Sequence, residues 1–395
     1  MLNITPSTIA KAIENDEFFY VYQPKISLIT GKISGFEALI RWQRGSKLIM
    51  PNHFIEIAET SGLIALLTRH MFKKLLTDAP LFLSVNPDLV VSFNVTPYDF
   101  EDNDLFNEII SATNNNIVQA NQLEIEITET SELLENTGIL EKLTRLQEHG
   151  VSIAMDDYGT GYSSLEAFST WPFTTLKLDK TFIDRISESQ KCHDIVDSSI
   201  RMGHKMGLKV IAEGIENRKD YETLMSLGCN EVQGFYIAKG LSVEDAMTFL
   251  AEDKTWSGLP VGLIHLAQQD HMEWRQKMIK LVLKIQKEGV HSYNPAECPE
   301  LDHTKCRLGC WYHSKEAQIF KDSPTFRDLD IPHADFHRVG KELLEAALAG
   351  KSKQEVVKLM QQLAVQSSMV IAMLQHLEDE GLMSATLDEN TTQDE

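Results

Sequence analysis

Polar residues interrupt or close several short apolar runs of this chain, which is where chemistry collects when such runs are strands. Glu37 lies in Gly-Phe-Glu-Ala-Leu-Ile-Arg-Trp, Asn94 closes Val-Ser-Phe-Asn, and Glu126 lies in Leu-Glu-Ile-Glu-Ile-Thr. Asp156 and Asp157 end Ser-Ile-Ala-Met-Asp-Asp, and Lys177 sits in Leu-Lys-Leu-Asp. Glu213 ends Val-Ile-Ala-Glu and Gln233 ends Glu-Val-Gln. Carboxylates that meet at one place repel each other unless cations neutralise them. Oxygen donors of this kind suit hard ions such as Mg²⁺ or Mn²⁺. Two such ions activate water and stabilise the oxygens of an in-line attack on phosphorus. The Gly-Thr-Gly loop at 159–161 can turn tightly and offer backbone N–H groups. Arg41 supplies a charge for a phosphate and Lys177 one for an attacking water. Any one of these residues is equally explained by a solvated loop or an ion pair. Their recurrence at seven run ends favours a site.

A second set of chemistry-bearing residues lies late in the chain. Eight of the 13 histidines and three of the five cysteines follow residue 260. His333 and His337 are four apart, so a helix expected to open at Asp330 and Pro332 would carry both imidazoles on one face. His271 lies in Asp-His-Met-Glu-Trp, and Cys306 precedes Arg-Leu-Gly-Cys-Trp-Tyr. One thiolate and three imidazoles from different helices would close a tetrahedral zinc site. Taken alone, the histidine pair is better explained by core packing or a surface position. His303, His313 and Cys298 lie nearby and leave the ligand set open.

Elements that could position the first set are legible as an alternation. Apolar or β-branched runs at about 18–28, 33–42, 90–95, 123–128, 151–156, 175–179, 208–213 and 230–236 predict eight strands. Helical stretches intervene at about 52–78, 98–114, 134–149, 162–169, 190–206, 217–227 and 242–251. Near-continuous apolar strands separated by helices indicate a parallel sheet covered on both faces. Eight of them predict an α/β fold, a (β/α)₈ TIM-like barrel, whose catalytic residues gather at the strands' C-terminal ends. Only Ile29-Thr30-Gly31 joins the first two runs, too short for a crossover helix, so the barrel is irregular with one antiparallel strand. Breakers over 252–260 predict a linker between a barrel at 1–251 and a second domain at 261–380. Helical patterns at about 261–288, 309–320, 331–349 and 352–379 predict an all-α four-helix bundle there. The polar, acidic stretch 381–395 is expected to be a disordered tail.

Composition narrows the function classes. The chain has 395 residues and a formal net charge of −21, which opposes binding of long nucleic acid or an anionic membrane by bulk electrostatics. Hydrophobic residues make up 43%, ordinary for a globular protein. No run approaches the ~18 uninterrupted apolar residues of a membrane span, and the N-terminus lacks a secretory pattern. A cytoplasmic location is therefore expected, where bunched cysteines indicate metal or redox chemistry.

Ordered motifs then carry a resemblance. Tyr-Gln-Pro (22–24), Glu-Ala-Leu (37–39), Ile-Thr-Glu (127–129), Asp-Asp-Tyr-Gly-Thr-Gly (156–161), Lys-Leu-Asp (177–179), Ala-Glu-Gly-Ile-Glu (212–216) and Gln-Gly-Phe (233–235) follow one another. Across about 1–251 the chain resembles the EAL-domain phosphodiesterases of bacterial signalling. The resemblance implies hydrolysis of cyclic di-GMP to linear pGpG with two Mg²⁺ or Mn²⁺. It maps a metal shell onto Glu37, Asn94, Glu126, Asp156, Asp157, Glu213 and Gln233. It assigns the nucleophilic water to Lys177 and a general-base role to Glu213, and it places Gln23, Arg41 and Asp179 against substrate. Glu129 matches a glutamate that steadies the loop after Asp157. Departures are Tyr158, Thr96, Lys25 and Gly240, none of which removes a metal ligand or the lysine. The alternative is a catalytically weak effector that binds cyclic di-GMP above a structural zinc bundle.

His271 with Trp274, then Cys-Arg-Leu-Gly, Trp-Tyr, His333 and His337, resembles the chemoreceptor zinc-binding domain over about 261–379. That implies one Zn²⁺ per chain on His271, Cys306, His333 and His337. The zinc is either sensory or structural. Cys310 departs from the family and reads as a buried small residue, a spare thiol or a resolving partner for Cys306. Both families imply a homodimer, and a receptor or cyclase partner is compatible with the bundle.

Overall fold

The computed structural model describes residues 4–128, 137–158, 170–256, 261–313, 317 and 320–391. Its contacts divide the chain into two compact units, residues 1–258 and 259–395.

In the first unit nine strands form one sheet: β1 Phe18–Ser27, β2 Ile33–Arg44, β3 Lys47–Ile49, β4 Val90–Val95, β5 Leu123–Thr128, β6 Ser152–Tyr158, β7 Thr175–Leu178, β8 Lys209–Glu213 and β9 Glu231–Gln233. The order β1-β9-β8-β7-β6-β5-β4-β2-β3, with β1 also paired to β2, closes eight strands into a barrel and leaves β3 as a hairpin extension. β1 runs antiparallel to both neighbours, and β2 and β4–β9 run parallel in sequence around the ring. The expected barrel with one reversed strand is therefore present, with β3 added.

Helices cover the outside: α1 Pro6–Glu14, α2 Ile55–Thr60, α3 Ile64–Val85, α4 Asp104–Asn114, α5 Thr137–Glu148, α6 Lys180–Ile183, α7 Gln190–Lys205, α8 Arg218–Ser226 and α9 Val243–Ala251. The single helix expected at about 52–78 is two, because Gly62 takes a φ of +71° between α2 and α3. α1 was not expected, although Thr5 caps it through Thr8 and Ile9, Ala12 and Ile13 form its buried face. The helix expected at 162–169 lies outside the described residues. The strands' outer faces and these helices bury one continuous apolar core, including Phe36, Trp42, Phe72, Phe93, Leu176 and Val210. Gly35 permits close approach at the β2–β4 pairing, since a Cβ there would stand 2.2 Å from the Val90 carbonyl oxygen.

The second unit contains α10 Val261–Glu288, α11 Arg307–Tyr312, α12 Pro324–Leu348 and α13 Lys353–Thr391. Three helices are long and α11 is only six residues. Met278, Val282, Phe336, Leu343, Leu363, Leu374 and Leu377 are buried together in its core. α12 opens earlier than expected, because Ser323 caps it by accepting from the Phe326 N–H and Pro324 occupies its first turn. Pro332 consequently lies inside the helix, where it forgoes one backbone hydrogen bond. α13 continues to Thr391, so helical backbone replaces the expected unstructured tail over 381–391. Leu382, Met383 and Ala385 favour helix, and no proline stops it. The stretch Lys353–Glu380 is long and apolar enough to cross a bilayer by composition. Val356, Leu363, Val370, Leu374 and Leu377 instead place one stripe of it in the bundle core.

Candidate active site and metal centre

Parallel strands bring their C-terminal ends to one mouth of the barrel, and alternate residues of each strand face its interior. Glu37 pairs with Ser92 in register across β2 and β4, Asn94 with Glu126 across β4 and β5, and Glu213 with Gln233 across β8 and β9. Of these, Glu37, Glu126 and Glu213, together with Asp156 of β6, meet Lys177 of β7. Its Nζ lies 2.6 Å from Glu213, 3.0 Å from Asp156 and 3.6 Å from Glu37, and it donates a short hydrogen bond to Glu126. Lys177 is 1% exposed, so four carboxylates share one buried ammonium. Two amides complete the ring around Glu37: Asn94 Nδ2 donates to Oε1 at 2.9 Å and Gln233 Nε2 to Oε2 at 2.5 Å.

Asp156 and Asp157 reach the mouth from adjacent positions through a break in strand regularity. The register shifts between Met155 and Tyr158, and Asp157 adopts a φ of +55°. Its N–H donates to Asp156 Oδ1 at 3.0 Å. A left-handed residue at such a bulge turns the next side chain out of the strand's alternation.

Electrostatics show a donor set short of positive charge. Burial and the Glu126 carboxylate push Glu37 up to about 7, against the pull of Lys177. Burial likewise pushes Glu213 well up, with Asp156 and Glu37 adding and Lys177 opposing. Asp157 is raised by burial and by Asp156. Burial opposes charge on Glu126 too, but Lys177 and Lys25 outweigh it and hold that carboxyl well below its ordinary range. Lys177 is held firmly protonated, because Asp156, Glu126, Glu213 and Glu37 overcome its burial. Burial and the neighbouring carboxylates thus disfavour charge on Glu37 and Glu213. Gln233 Oε1 is buried without a hydrogen-bond partner, an oxygen lone pair that the protein leaves open. Clustered carboxylates and an unpaired amide oxygen fit hard divalent ions.

Beside these groups opens a cleft of about 370 Å³, bounded by Glu37, Asn94 and Asp156 and by the apolar Ile40, Ile55 and Leu67. The three residues expected against substrate are placed separately. Gln23 pairs with Glu37 across β1 and β2, and its Nε2 donates to the Ala238 carbonyl at 3.1 Å. Arg41 Nη1 donates to the Ile40 carbonyl at 2.8 Å. Asp179 caps α6 by accepting from the Thr181 N–H at 2.9 Å. Glu129 and the 159–161 loop lie outside the described residues.

Sequence reasoning missed a second polar layer one step deeper in the barrel. Lys25 Nζ bridges Glu124 at 2.9 Å and Glu126 at 2.8 Å, and Thr175 Oγ1 donates to Glu124 at 2.7 Å. Lys209 lies 3.6 Å from Glu124 and 3.4 Å from Glu231. Its signal was a lysine within an apolar run and a glutamate two positions from Glu126, hence on the same strand face.

In the second unit the ligand atoms of Cys306, His333 and His337 lie within 4.8 Å of one another. Cys306 caps α11, its Sγ accepting from the Gly309 N–H at 3.3 Å, and stands 3.2 Å from His333 Nε2. His337 Nδ1 lies 3.2 Å from the Leu301 carbonyl, which only accepts, so Nε2 carries the lone pair. Trp274 packs on His337 at 4.7 Å between ring centroids and donates Nε1–H to the Glu300 carbonyl. A Cβ at Gly340 would stand 2.4 Å from that indole. His271 stands farther off, its ring centroid 6.4 Å from that of His333. Its Nε2 is buried without a partner, as expected of a ligand nitrogen in waiting. Burial lowers His271 and His333 to about 3 and His337 to about 4, so all three imidazoles are neutral at pH 7. Burial raises the Cys306 thiol to about 11, despite N–H groups of Gly309 and Leu308. Neutral imidazoles beside a buried thiol fit zinc, which binds the thiolate. His303 lies 3.8 Å from Asp330 instead. Cys310 is exposed rather than buried.

Comparison with known proteins gives matches in both units. The EAL domain model matches residues 7–240, and the chemoreceptor zinc-binding domain model matches residues 271–344. The protein sll1895 of Synechocystis is 38% identical over 61% of this chain and 35% of its own length. The cyclic di-GMP phosphodiesterase PA2567 of Pseudomonas aeruginosa is 31% identical over 62% of this chain and 42% of its own. This chain thus spans well under half the length of these relatives. The solved structure of the PaMucR phosphodiesterase in complex with c-di-GMP is 30% identical, with a TM-score of 0.57, and covers 61% of this chain and 98% of that one. With the barrel, its reversed strand and the ordered motifs all in place, the chain belongs to the EAL-domain family and carries a chemoreceptor zinc-binding domain after the barrel.

Proposed function

We propose that the chain hydrolyses cyclic di-GMP to linear pGpG at the barrel mouth. The convergence of Glu37, Glu126, Asp156 and Glu213 on Lys177 is the observation that carries this reading. The named phosphodiesterase relatives and the c-di-GMP complex support it. Glu37, Asn94, Glu126, Asp156, Asp157, Glu213 and Gln233 would hold two Mg²⁺ or Mn²⁺, which supply Lewis-acid activation of water and neutralise charge at phosphorus when bound.

The chain's own residues do the remainder. Lys177 is fixed by its ion pairs and orients the oxygen of the attacking water. Glu213 has a raised carboxyl and takes the water's proton. The water oxygen bonds to phosphorus, the P–O3′ bond breaks, and the departing O3′ takes up the proton that Glu213 accepted, leaving the 5′-phosphate of pGpG. Gln23, Arg41 and Asp179 bind the dinucleotide, and the apolar side of the cleft shelters a base. Wild type supplied with Mg²⁺ or Mn²⁺ should turn over cyclic di-GMP, and Glu37→Ala should lose at least about a hundredfold in kcat, the scale for an electrostatic group at the reacting centre. Equal rates for the two proteins would refute the assignment.

The second unit binds one Zn²⁺ through His271, Cys306, His333 and His337 and regulates the phosphodiesterase, with the protein acting as a cytoplasmic homodimer. Chelator titration with Mg²⁺ in excess should change turnover severalfold, and Cys306→Ala should reproduce the change without chelator. Turnover that ignores zinc loss assigns the ion a structural role.

A further inference from the structure

Lys25 is a buried cation that the reaction described above does not use. It is 2% exposed, and its Nζ donates to one oxygen each of Glu124 and Glu126. Both glutamates point inward from β5, being two residues apart on one strand. Glu126 is held at both oxygens: Oε1 by Lys25 at 2.8 Å and Oε2 by Lys177. These two contacts differ in kind. Lys177 belongs to the upper ring and also touches Glu37, Asp156 and Glu213. Lys25 belongs to the lower layer, where Lys25 and Lys209 balance Glu124 and Glu231.

We propose that Lys25 is a positioning residue for the metal site, acting through Glu126. By occupying Oε1 from below, it leaves Glu126 one oxygen, Oε2, to present at the mouth, and it fixes the direction of that oxygen. The role rests on the metal-site reading given above. Its physical basis is the geometry of the shared ammonium. Two buried carboxylates accept from one Nζ at 2.8 and 2.9 Å, so they stand close enough to repel once that cation is gone. Glu124 is tied by Thr175 and Lys209. Glu126 keeps only its Oε2 contact with Lys177, so it is the member that turns about that contact, and the direction of its oxygen in the ring changes. Groups that hydrogen-bond to ligating side chains typically contribute ten- to hundredfold in metal affinity.

Manganese binding to the full chain, followed by the loss of the free Mn²⁺ electron paramagnetic resonance signal without substrate, tests this. To keep the second unit's zinc in place, the protein is zinc-loaded beforehand. Lys25→Met should weaken Mn²⁺ binding about tenfold relative to wild type. In a Glu126→Gln background the same substitution should change affinity less than twofold, because its target is already gone. Glu124→Gln retains the Lys25–Glu126 contact, so its affinity should stay within threefold of wild type. A tenfold loss in this last variant overturns the role even if Lys25→Met does not fold. Wild-type affinity in Lys25→Met, undiminished weakening in the double variant, or a tenfold loss in Glu124→Gln would each overturn the role. A wild type that binds no Mn²⁺ overturns the metal-site reading itself, and the role of Lys25 with it.

Discussion

Lys177→Met should lower kcat for cyclic di-GMP by about a thousandfold or more while leaving divalent-ion binding intact. The ammonium sits among Glu37, Glu126, Asp156 and Glu213, and it is the cation all four share. Methionine keeps most of the side chain's length and removes only the charge and its donors. Cation binding should survive, because the carboxylate ring becomes more negative and two unit charges a few ångströms apart still interact by several kcal/mol at an effective dielectric of about 20. What is lost, on the proposed mechanism, is a fixed donor for the attacking water. Removing one such preorganised donor typically costs about a hundred- to a thousandfold. Here the carboxylates also lose the group that sets their spacing, so the upper part of that range or beyond is expected. Turnover and Mn²⁺ binding measured on the same preparation check the prediction. A loss below tenfold, or a loss matched by vanished metal binding, would remove Lys177 from the chemistry.

Acid should destabilise the zinc-free second unit steeply below about pH 6.5. His271, His333 and His337 are depressed to about 3, 3 and 4 in the folded chain by burial, against about 6.5 when unfolded. Between those limits the unfolded chain binds more protons than the native one, so stability rises with pH and is lost as pH falls. Each histidine contributes up to about 1.4 kcal/mol per pH unit, and the three together about 4, within a total domain stability of about 5–15 kcal/mol. The metal-free unit should therefore open near pH 5. Histidine proton resonances of the full chain, followed with pH, should show these three failing to titrate until the unit unfolds. Replacing all three by glutamine should flatten the pH dependence, and bound zinc should push the transition to lower pH. Ordinary titration near 6.5 in a folded, zinc-free protein would refute the account.

Much of the barrel was legible because its strands are apolar on both faces and carry their polar residues at one end. Val-Ser-Ile-Ala-Met-Asp-Asp announces both a buried strand and where it meets the site. Motif order identified the domains more sharply than any periodicity. Residues whose meaning depends on a tertiary partner were not legible in this way. Lys25 stood out as an odd cation, but its link to Glu124 and Glu126 exists only once β1 and β5 face each other across the barrel. Pro332 misled as a helix start because the local rule for proline is strong. The Ser323–Pro324 cap outweighs it, and packing of Phe326, Leu329 and Phe336 carries the helix through. Three of the four expected zinc ligands converge, and the fourth, His271, stands farther away in the same buried pocket of side chains. The helix of 381–391 continues from packed turns upstream, which the net polarity of the stretch does not report.

The left-handed backbone of Asp157 sets chain stability and site chemistry at odds. Glycine would adopt a φ of +55° without steric penalty, whereas an L-residue is strained there and aspartate is among the few that tolerate it. A chain shaped for stability alone would place glycine at 157. Retaining a carboxylate means that one strand end delivers two consecutive acids to the same mouth, which a flat strand cannot do. Stability-driven redesign of this barrel would therefore tend to erase part of the proposed metal shell first at this residue, even while improving the fold.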